Sequence, residues 1–390
     1  MDQLQIFPEP VIGDGHYAYG NLGVIAMKGC ENTGAKINEY LNEFRYGPEL
    51  GMMSNFLIQT TCPRFTTGEA KAIIDQSVRG CDIFILCDCY NYSVTYKMYD
   101  MVTYMSPDDH YRDLVRTIAA LNGKARRINV IMPMLYSSRQ DNRTSRESLD
   151  CAISLQELAG MGVSNILCFD AHEPRVQNAV PLIGFDTVTP FYQMIKALYG
   201  SVEAEELTSD KALIISPDEG AMQKCLRYSD FLGIGVSMFY KRRDYDKLNR
   251  GLVDNIESHE FLGSSDEVKD KNIIIIDDII ASGGSFMNVA EKLKLMGAKR
   301  IFAFITFGQF SKGTDLIDKA YGRGIIDKIF VTNANYKSGQ IISKPWYYDV
   351  DISKYLAKLI NALNCDHSIS DLLSPVEKIN ELKESKNKLI

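Results

Sequence analysis

Eight apolar runs of strand length, rich in β-branched residues, recur along the chain at 22–27, 83–86, 128–132, 166–169, 212–215, 273–276, 301–305 and 329–331. Between them lie segments whose apolar residues fall at helical spacing. Two examples are 114–121, ahead of the 128–132 run, and 286–296, ahead of the 301–305 run, the second closing on Gly297 as a C-cap. Strands that are apolar on both faces and alternate with helices predict parallel sheets covered on both sides. The expected fold class is α/β and doubly wound.

Composition narrows the class. Lys plus Arg number 43 against 50 Asp plus Glu in 390 residues, a net charge of −7, which argues against a protein that coats nucleic acid. With 45% hydrophobic and 24% charged residues the chain has an ordinary globular composition, long enough for two domains that each bury a core. No run of about 18 apolar residues occurs, and Met1, Asp2 and Gln3 do not begin a signal peptide, so no membrane partner and a cytoplasmic location are expected. The nine cysteines include no Cys-x-x-Cys pair, which points to neither a disulfide framework nor a zinc site. Cys87 and Cys89 are expected as core thiols on one face of a strand.

In doubly wound sheets ligands bind at the carboxyl ends of the strands. The residues that follow the apolar runs are therefore the candidates: Arg139-Gln140-Asp141-Asn142-Arg143, Asp170-Ala171-His172, Ser216-Pro217-Asp218-Glu219-Gly220 and Asp277-Asp278. Two glycine patterns are set aside. The stretch Gly29-Cys30-Glu31-Asn32-Thr33-Gly34-Ala35-Lys36 lacks the Gly-Lys-Ser/Thr of a P-loop and reads as a strand-to-helix turn. The pair in Gly233-Ile234-Gly235 lacks the third glycine of a dinucleotide fingerprint and reads as strand packing.

The most informative stretch is Ile273-Ile274-Ile275-Ile276-Asp277-Asp278-Ile279-Ile280-Ala281-Ser282-Gly283-Gly284-Ser285-Phe286. Four aliphatic residues deliver two adjacent carboxylates to a strand end, and a turn of small residues then opens a helix. Backbone N–H groups of Ala281, Ser282, Gly283, Gly284 and Ser285 can enclose a phosphate at the positive end of that helix, while Asp277 and Asp278 accept from ribose hydroxyls.

This segment resembles the Asp-Asp-x-x-x-Thr-Gly-Gly-Thr motif of type I phosphoribosyltransferases and ribose-phosphate diphosphokinases. The rest of the chain resembles the diphosphokinases (phosphoribosyl pyrophosphate synthetases) in order over about residues 18 to 365. The matching stretches are Phe65-Thr66-Thr67-Gly68-Glu69, Val78-Arg79-Gly80-Cys81-Asp82-Ile83-Phe84, Arg139-Gln140-Asp141, Phe169-Asp170-Ala171-His172, Ser216-Pro217-Asp218 and Tyr240-Lys241-Arg242-Arg243. The resemblance implies two similar phosphoribosyltransferase-like domains, at 18–190 with the adenine pocket and ATP residues and at 191–365 with the ribose 5-phosphate loop and a flexible catalytic loop, followed by a tail at 366–390.

It further implies transfer of the diphosphoryl group of ATP to the anomeric hydroxyl of ribose 5-phosphate, giving phosphoribosyl diphosphate and AMP for nucleotide biosynthesis. Lys241 and Arg243 would be catalytic, heading a polar, mobile stretch through Lys271. Phe65, Thr67, Glu69, Arg139, Gln140 and His172 would bind ATP, with Phe65 and Glu69 reaching in from a neighbouring subunit of a homo-oligomer, a dimer or larger up to a hexamer. Asp277, Asp278, Ala281, Ser282, Gly283, Gly284 and Ser285 would bind ribose 5-phosphate, Asp218, Glu219, Gly220 and Ala221 would form the diphosphate loop, and His172 with Asp218 would hold magnesium.

The chain departs from the family pattern in places. Thr67 stands where Asn or Asp is usual, and Ala221 replaces a glycine. The loop after Arg139 is short, and Glu147-Ser148-Leu149-Asp150 replaces a Pro-containing stretch that shapes an allosteric phosphate site in relatives. The Tyr-rich stretch 88–109 and the charged tail 366–390 have no counterpart, and each is expected to be surface elaboration or a subunit contact. A catalytically weak regulatory paralogue that binds nucleotide beside an active diphosphokinase is the alternative from another class. A phosphoribosyltransferase acting on a base would leave the N-terminal half without a role.

Overall fold

The computed structural model describes residues 18–243 and 256–387. Contacts divide the chain into two compact units. One comprises residues 18–189 with 334–336 and 352–374, and the other 190–333 with 337–351 and 375–387. Each carries a sheet covered by helices on both faces, and all eight apolar runs are strands.

The first unit holds five parallel strands in the order Asn21–Ala26, Cys81–Leu86, Arg127–Ile131, Asn165–Phe169 and Gly184–Val188. Alternation decides which side chains meet which helices. Ile25, Ile83, Ile85, Val130 and Ile166 share a core with the helices Pro107–Leu121 and Asp150–Gly160. The opposite face takes the helices Glu31–Tyr46 and Ser353–Asn364: Gly34 packs so closely that a Cβ there would stand 2.5 Å from that of Ala26, and Tyr355 meets Phe169 edge-on at 6.1 Å. The buried Asp82, from one of the motif stretches, is structural. It accepts two hydrogen bonds from Arg127 (2.8 and 2.6 Å) and one each from Asn129 (2.8 Å) and Asn364 (2.9 Å), which ties the late helix to the early sheet. Buried carboxylates persist only when paired in this way.

The second unit holds seven strands in the order Ile256–Leu262, Val236–Arg243, Ala212–Ser216, Asn272–Ile280, Arg300–Gly308, Lys328–Thr332 and Tyr347–Val350, with only the first antiparallel to its neighbour. The isoleucine run serves two cores. Ile273 and Ile275 pack with the helices Gly284–Leu295 and Asp315–Gly322, and Ile274 and Ile276 with Phe191–Tyr199 and Met222–Leu232. At about 1.5–3 kcal/mol per buried aliphatic side chain, this strand is the keel of the unit.

Four expectations are corrected. Beyond residue 256 the stretch leading to Lys271 is not a polar loop: it forms the edge strand and a 3-10 turn at Ser265–Glu267, and Val268 is fully buried, while 244–255 lie outside the described residues. Gly233 is not strand packing but the left-handed C-cap of Met222–Leu232, at φ 72°. Cys87 and Cys89 are buried in the first unit's core, with their sulfurs 3.7 Å apart, yet they follow the end of the strand at Leu86. The tail is not only surface: Val376–Asn387 is a helix whose Ile379, 1% exposed, enters the second unit's core.

Candidate active site

Strand order in the second unit reverses between Ala212–Ser216 and Asn272–Ile280, since the chain runs outward from this pair in both directions. Such a switch point opens a crevice at the carboxyl ends of the strands. The Asp218 loop leaves one strand there, and Asp277 and Asp278 occupy the other.

The carboxylates crowd one another. Asp277 accepts the backbone N–H of Asp278 at 2.8 Å. Burial, then the charges of Asp278 and Asp218, push the Asp277 carboxyl well above its ordinary range, with Lys224 pulling the other way. Solvent still reaches both side chains, which are half-buried. The Asp218 carboxylate accepts the Ala221 N–H at 3.2 Å, and the Ser216 hydroxyl donates to the Asp218 carbonyl at 2.7 Å, which fixes the loop before Met222–Leu232. Glu219 and Gly220 are exposed and Ala221 is buried.

Ala281 and Ser282 turn the chain into Gly283, whose φ of 82° at the N-cap is a conformation suited to glycine. No side chain caps the helix Gly284–Leu295, so its first-turn N–H groups point from a positive helix end into the loop. A second segment braces the turn: Gln309 and Phe310 donate to the Ile280 carbonyl (2.9 and 3.3 Å), and Ser311 donates to that of Ala281 (2.8 Å). His259, absent from the sequence expectations, places Nε2 3.2 Å from the Ser285 hydroxyl. Its backbone pairs with Lys241 in the ribbon formed by Val236–Arg243 and Ile256–Leu262. The ribbon carries Lys241 and Arg243 at its outer part, and their side chains lie outside the described residues. Nothing in the sequence flagged His259, because it lies in a segment read as polar loop.

In the first unit Phe65, Thr66, Thr67, Gly68 and Glu69 form a surface turn closed by Phe65 N–H to Glu69 O at 2.7 Å. Phe65 is 56% exposed. Thr67 donates its hydroxyl to Glu69 at 2.9 Å, so two of the proposed base-reading groups engage each other. Arg139 is exposed at the start of its loop, whereas Gln140 donates to the Ser148 carbonyl at 2.9 Å and closes that loop on itself. His172 is exposed beyond the end of Asn165–Phe169, next to Glu173, whose carboxyl the Arg175 guanidinium pulls down to about 2.

Magnesium is implied by the resemblance, and the second unit's donors fit it. Asp218, Asp277 and Asp278 are hard oxygen ligands whose mutual repulsion a dication would relieve. Among the described residues no three His, Cys, Asp or Glu side chains form a cage for an ion. That suits a cation held through one or two carboxylates together with substrate phosphates.

Comparisons with known proteins bear on the family and the fold. Residues 22–162 match the model of the N-terminal domain of ribose phosphate pyrophosphokinase, and residues 261–374 that of the phosphoribosyl synthetase-associated domain. The ribose-phosphate pyrophosphokinase of Mycoplasmopsis pulmonis is 27% identical over 314 residues, 79% of this chain and 86% of that one. That of Campylobacter jejuni is 28% identical over 318 residues, covering 79% and 89%. Among solved structures, the phosphoribosylpyrophosphate synthetase of Mycobacterium smegmatis superposes with a TM-score of 0.69 at 22% identity, covering 88% of this chain and 98% of that one, which establishes the fold. With these two models together matching most of the chain and relatives of that name aligned over about four fifths of it, the chain belongs to the ribose-phosphate pyrophosphokinase family.

Proposed function

We propose that the protein makes phosphoribosyl diphosphate from ATP and ribose 5-phosphate, releasing AMP. The observation that carries this reading is the second unit's switch point, where paired carboxylates stand beside an uncapped helix N-terminus. The 5-phosphate would accept from the N–H groups of Ala281, Ser282, Gly283, Gly284 and Ser285 and from the hydroxyls of Ser282 and Ser285. Asp277 and Asp278 would accept from the ribose 2- and 3-hydroxyls, which fixes the sugar's anomeric end relative to the Asp218 loop.

The anomeric oxygen attacks the β-phosphorus of ATP. The bond from that phosphorus to the oxygen bridging toward the α-phosphorus breaks, AMP leaves with the bond pair, and the hydroxyl proton is released. Lys241 and Arg243 would stabilise charge spreading over the transferring phosphoryl oxygens. Asp218 is the proposed oxygen ligand and His172 the proposed nitrogen ligand of magnesium, which when bound would neutralise phosphate charge. Phe65, Thr67, Glu69, Arg139 and Gln140 are the proposed nucleotide contacts. The exposure of Phe65 on a surface turn supports a role against a neighbouring subunit of a homo-oligomer.

Purified protein given magnesium, ATP and ribose 5-phosphate should form AMP and phosphoribosyl diphosphate in equal amounts. Nucleotide binding without either product would favour a regulatory paralogue.

A further inference from the structure

The Tyr-rich insertion is a tight hairpin. Thr95–Met98 pairs antiparallel with Met101–Tyr104, and Tyr99 (φ 47°) and Asp100 (φ 60°) make a two-residue turn of the kind that matches strand twist. Its outward residues are bare: Tyr99 and Tyr104 are each 68% exposed. Several of its contacts converge on the turn formed by Phe65, Thr66, Thr67, Gly68 and Glu69 and on Arg64 at the base of that turn.

Three contacts reach that turn from three positions of the hairpin. Tyr99 N–H donates to the Thr66 carbonyl at 2.8 Å. Met98 lies against Gly68 so closely that a Cβ on the glycine would stand 2.7 Å from the sulfur. The Arg64 guanidinium, at the base of the turn, lies 4.6 Å from the centre of the Tyr96 ring and is held from elsewhere by Asp113 at 2.9 Å. The root of the hairpin is anchored as well, by Lys28 donating to the Thr95 carbonyl at 3.0 Å and by Met105 N–H to Val94 O at 2.9 Å. Of the turn's own hydrogen bonds two are backbone bonds, at its neck and within it, and one joins Thr67 to Glu69, so without the hairpin its exposed tip would lose its outside support.

We propose that the Thr95–Met98 and Met101–Tyr104 hairpin is a positioning element for the nucleotide-base turn, with Tyr96 and Met98 as the residues that set its conformation. The inference rests on the reading of that turn as a nucleotide contact. The hairpin holds Phe65 and Glu69 in their binding arrangement before ATP arrives, so removing its support adds an ordering cost to nucleotide binding and leaves the chemistry and the sugar-phosphate side untouched.

Full-length Tyr96→Ala/Met98→Ala and the conservative Tyr96→Phe are compared with the parent by steady-state kinetics, varying ATP at saturating ribose 5-phosphate and the reverse. The double variant should raise KM for ATP on the order of tenfold, with kcat and KM for ribose 5-phosphate within about twofold, and Tyr96→Phe should behave as the parent because the ring over Arg64 is retained. An unchanged KM for ATP in the double variant overturns the proposal. So does a fall in kcat and a rise in both KM values that track a lowered Tm, since that marks general destabilisation. No turnover by the parent sinks the functional reading instead, and calorimetric titration of ATP into the same three proteins then makes the comparison; a parent that binds no ATP overturns both.

Discussion

The sugar-phosphate candidate and the nucleotide candidate are built on opposite principles. Asp277 and Asp278 stand on an interior strand that is paired on both sides as far as Ile275, is paired with Arg300–Gly308 beyond it and is flanked by cores on both faces, and the turn after them is braced through Ile280 and Ala281. Phe65 and Glu69 stand on a surface turn whose shape depends on a neighbouring hairpin. An interior strand end is rigid because moving it disrupts two ladders and two cores. A surface turn acquires rigidity only from what packs on it, and it can be retuned by an insertion that leaves the core alone.

The largest effect expected concerns neither region directly but the ribbon that carries Lys241 and Arg243. Alanine at either should lower kcat by orders of magnitude with smaller changes in KM, because the charge they meet develops in the transition state. Losses confined to KM in steady-state assays would remove that role.

Asp277→Asn and Asp278→Asn sharpen the comparison next. Each should weaken ribose 5-phosphate binding strongly, and calorimetry that shows unchanged affinity in both contradicts the assignment. Asp277→Asn has a second signature. Burial and neighbouring charge hold the Asp277 carboxyl above its unfolded value, so the folded state favours the protonated form. The stability this group contributes is present in acid, below the ordinary carboxylate range, and is lost as pH rises through the raised value. Without ligand or magnesium, Asp277→Asn should therefore melt higher than the parent at neutral pH, and the gap should close in acid. A variant that melts lower at neutral pH would show that the ionised carboxylate is instead well paired.

On the nucleotide side, Gly68→Ala should be felt without loss of the fold. At φ 97° an L side chain costs about 1–2 kcal/mol, and its Cβ would crowd Met98 at 2.7 Å, so KM for ATP should rise several-fold while that for ribose 5-phosphate holds. Equal shifts in both constants would break the contrast between the two sides.

The smallest effect expected is that of inorganic phosphate. Glu147, in the loop after Arg139, and Asp150, at the start of the helix that follows, put two carboxylates where the resemblance implies an allosteric anion site, and like charge disfavours an anion there. Initial rates across a phosphate series in a non-phosphate buffer should show activity without phosphate; negligible activity in its absence would show the site intact.

The eight apolar runs were legible because strands buried on both faces must be apolar throughout, and the pairing of Asp277 with Asp278 was legible because two adjacent acids after four isoleucines have few structural uses. In the two large sheets, four strands escaped that reading: Gly184–Val188, Val236–Arg243, Ile256–Leu262 and Tyr347–Val350. Three of these are sheet edges and the fourth borders one, where a half-solvated strand carries polar residues and its pattern fades. His259 was hidden for the same reason.

Local sequence thus determined where chain is buried, where a helix starts on a small-residue turn, and which acids stand at strand ends, because burial and capping act over a few residues. Tertiary structure alone decided that strand order reverses beside Asp277, that Asp82 is a structural anchor shared by residues as distant as Asn364, that the tail inserts Ile379, and that the tyrosine hairpin supports the Phe65 turn. Each of these joins residues with no shared local pattern, and their contacts form only once long loops have closed and the sheets exist to hold them.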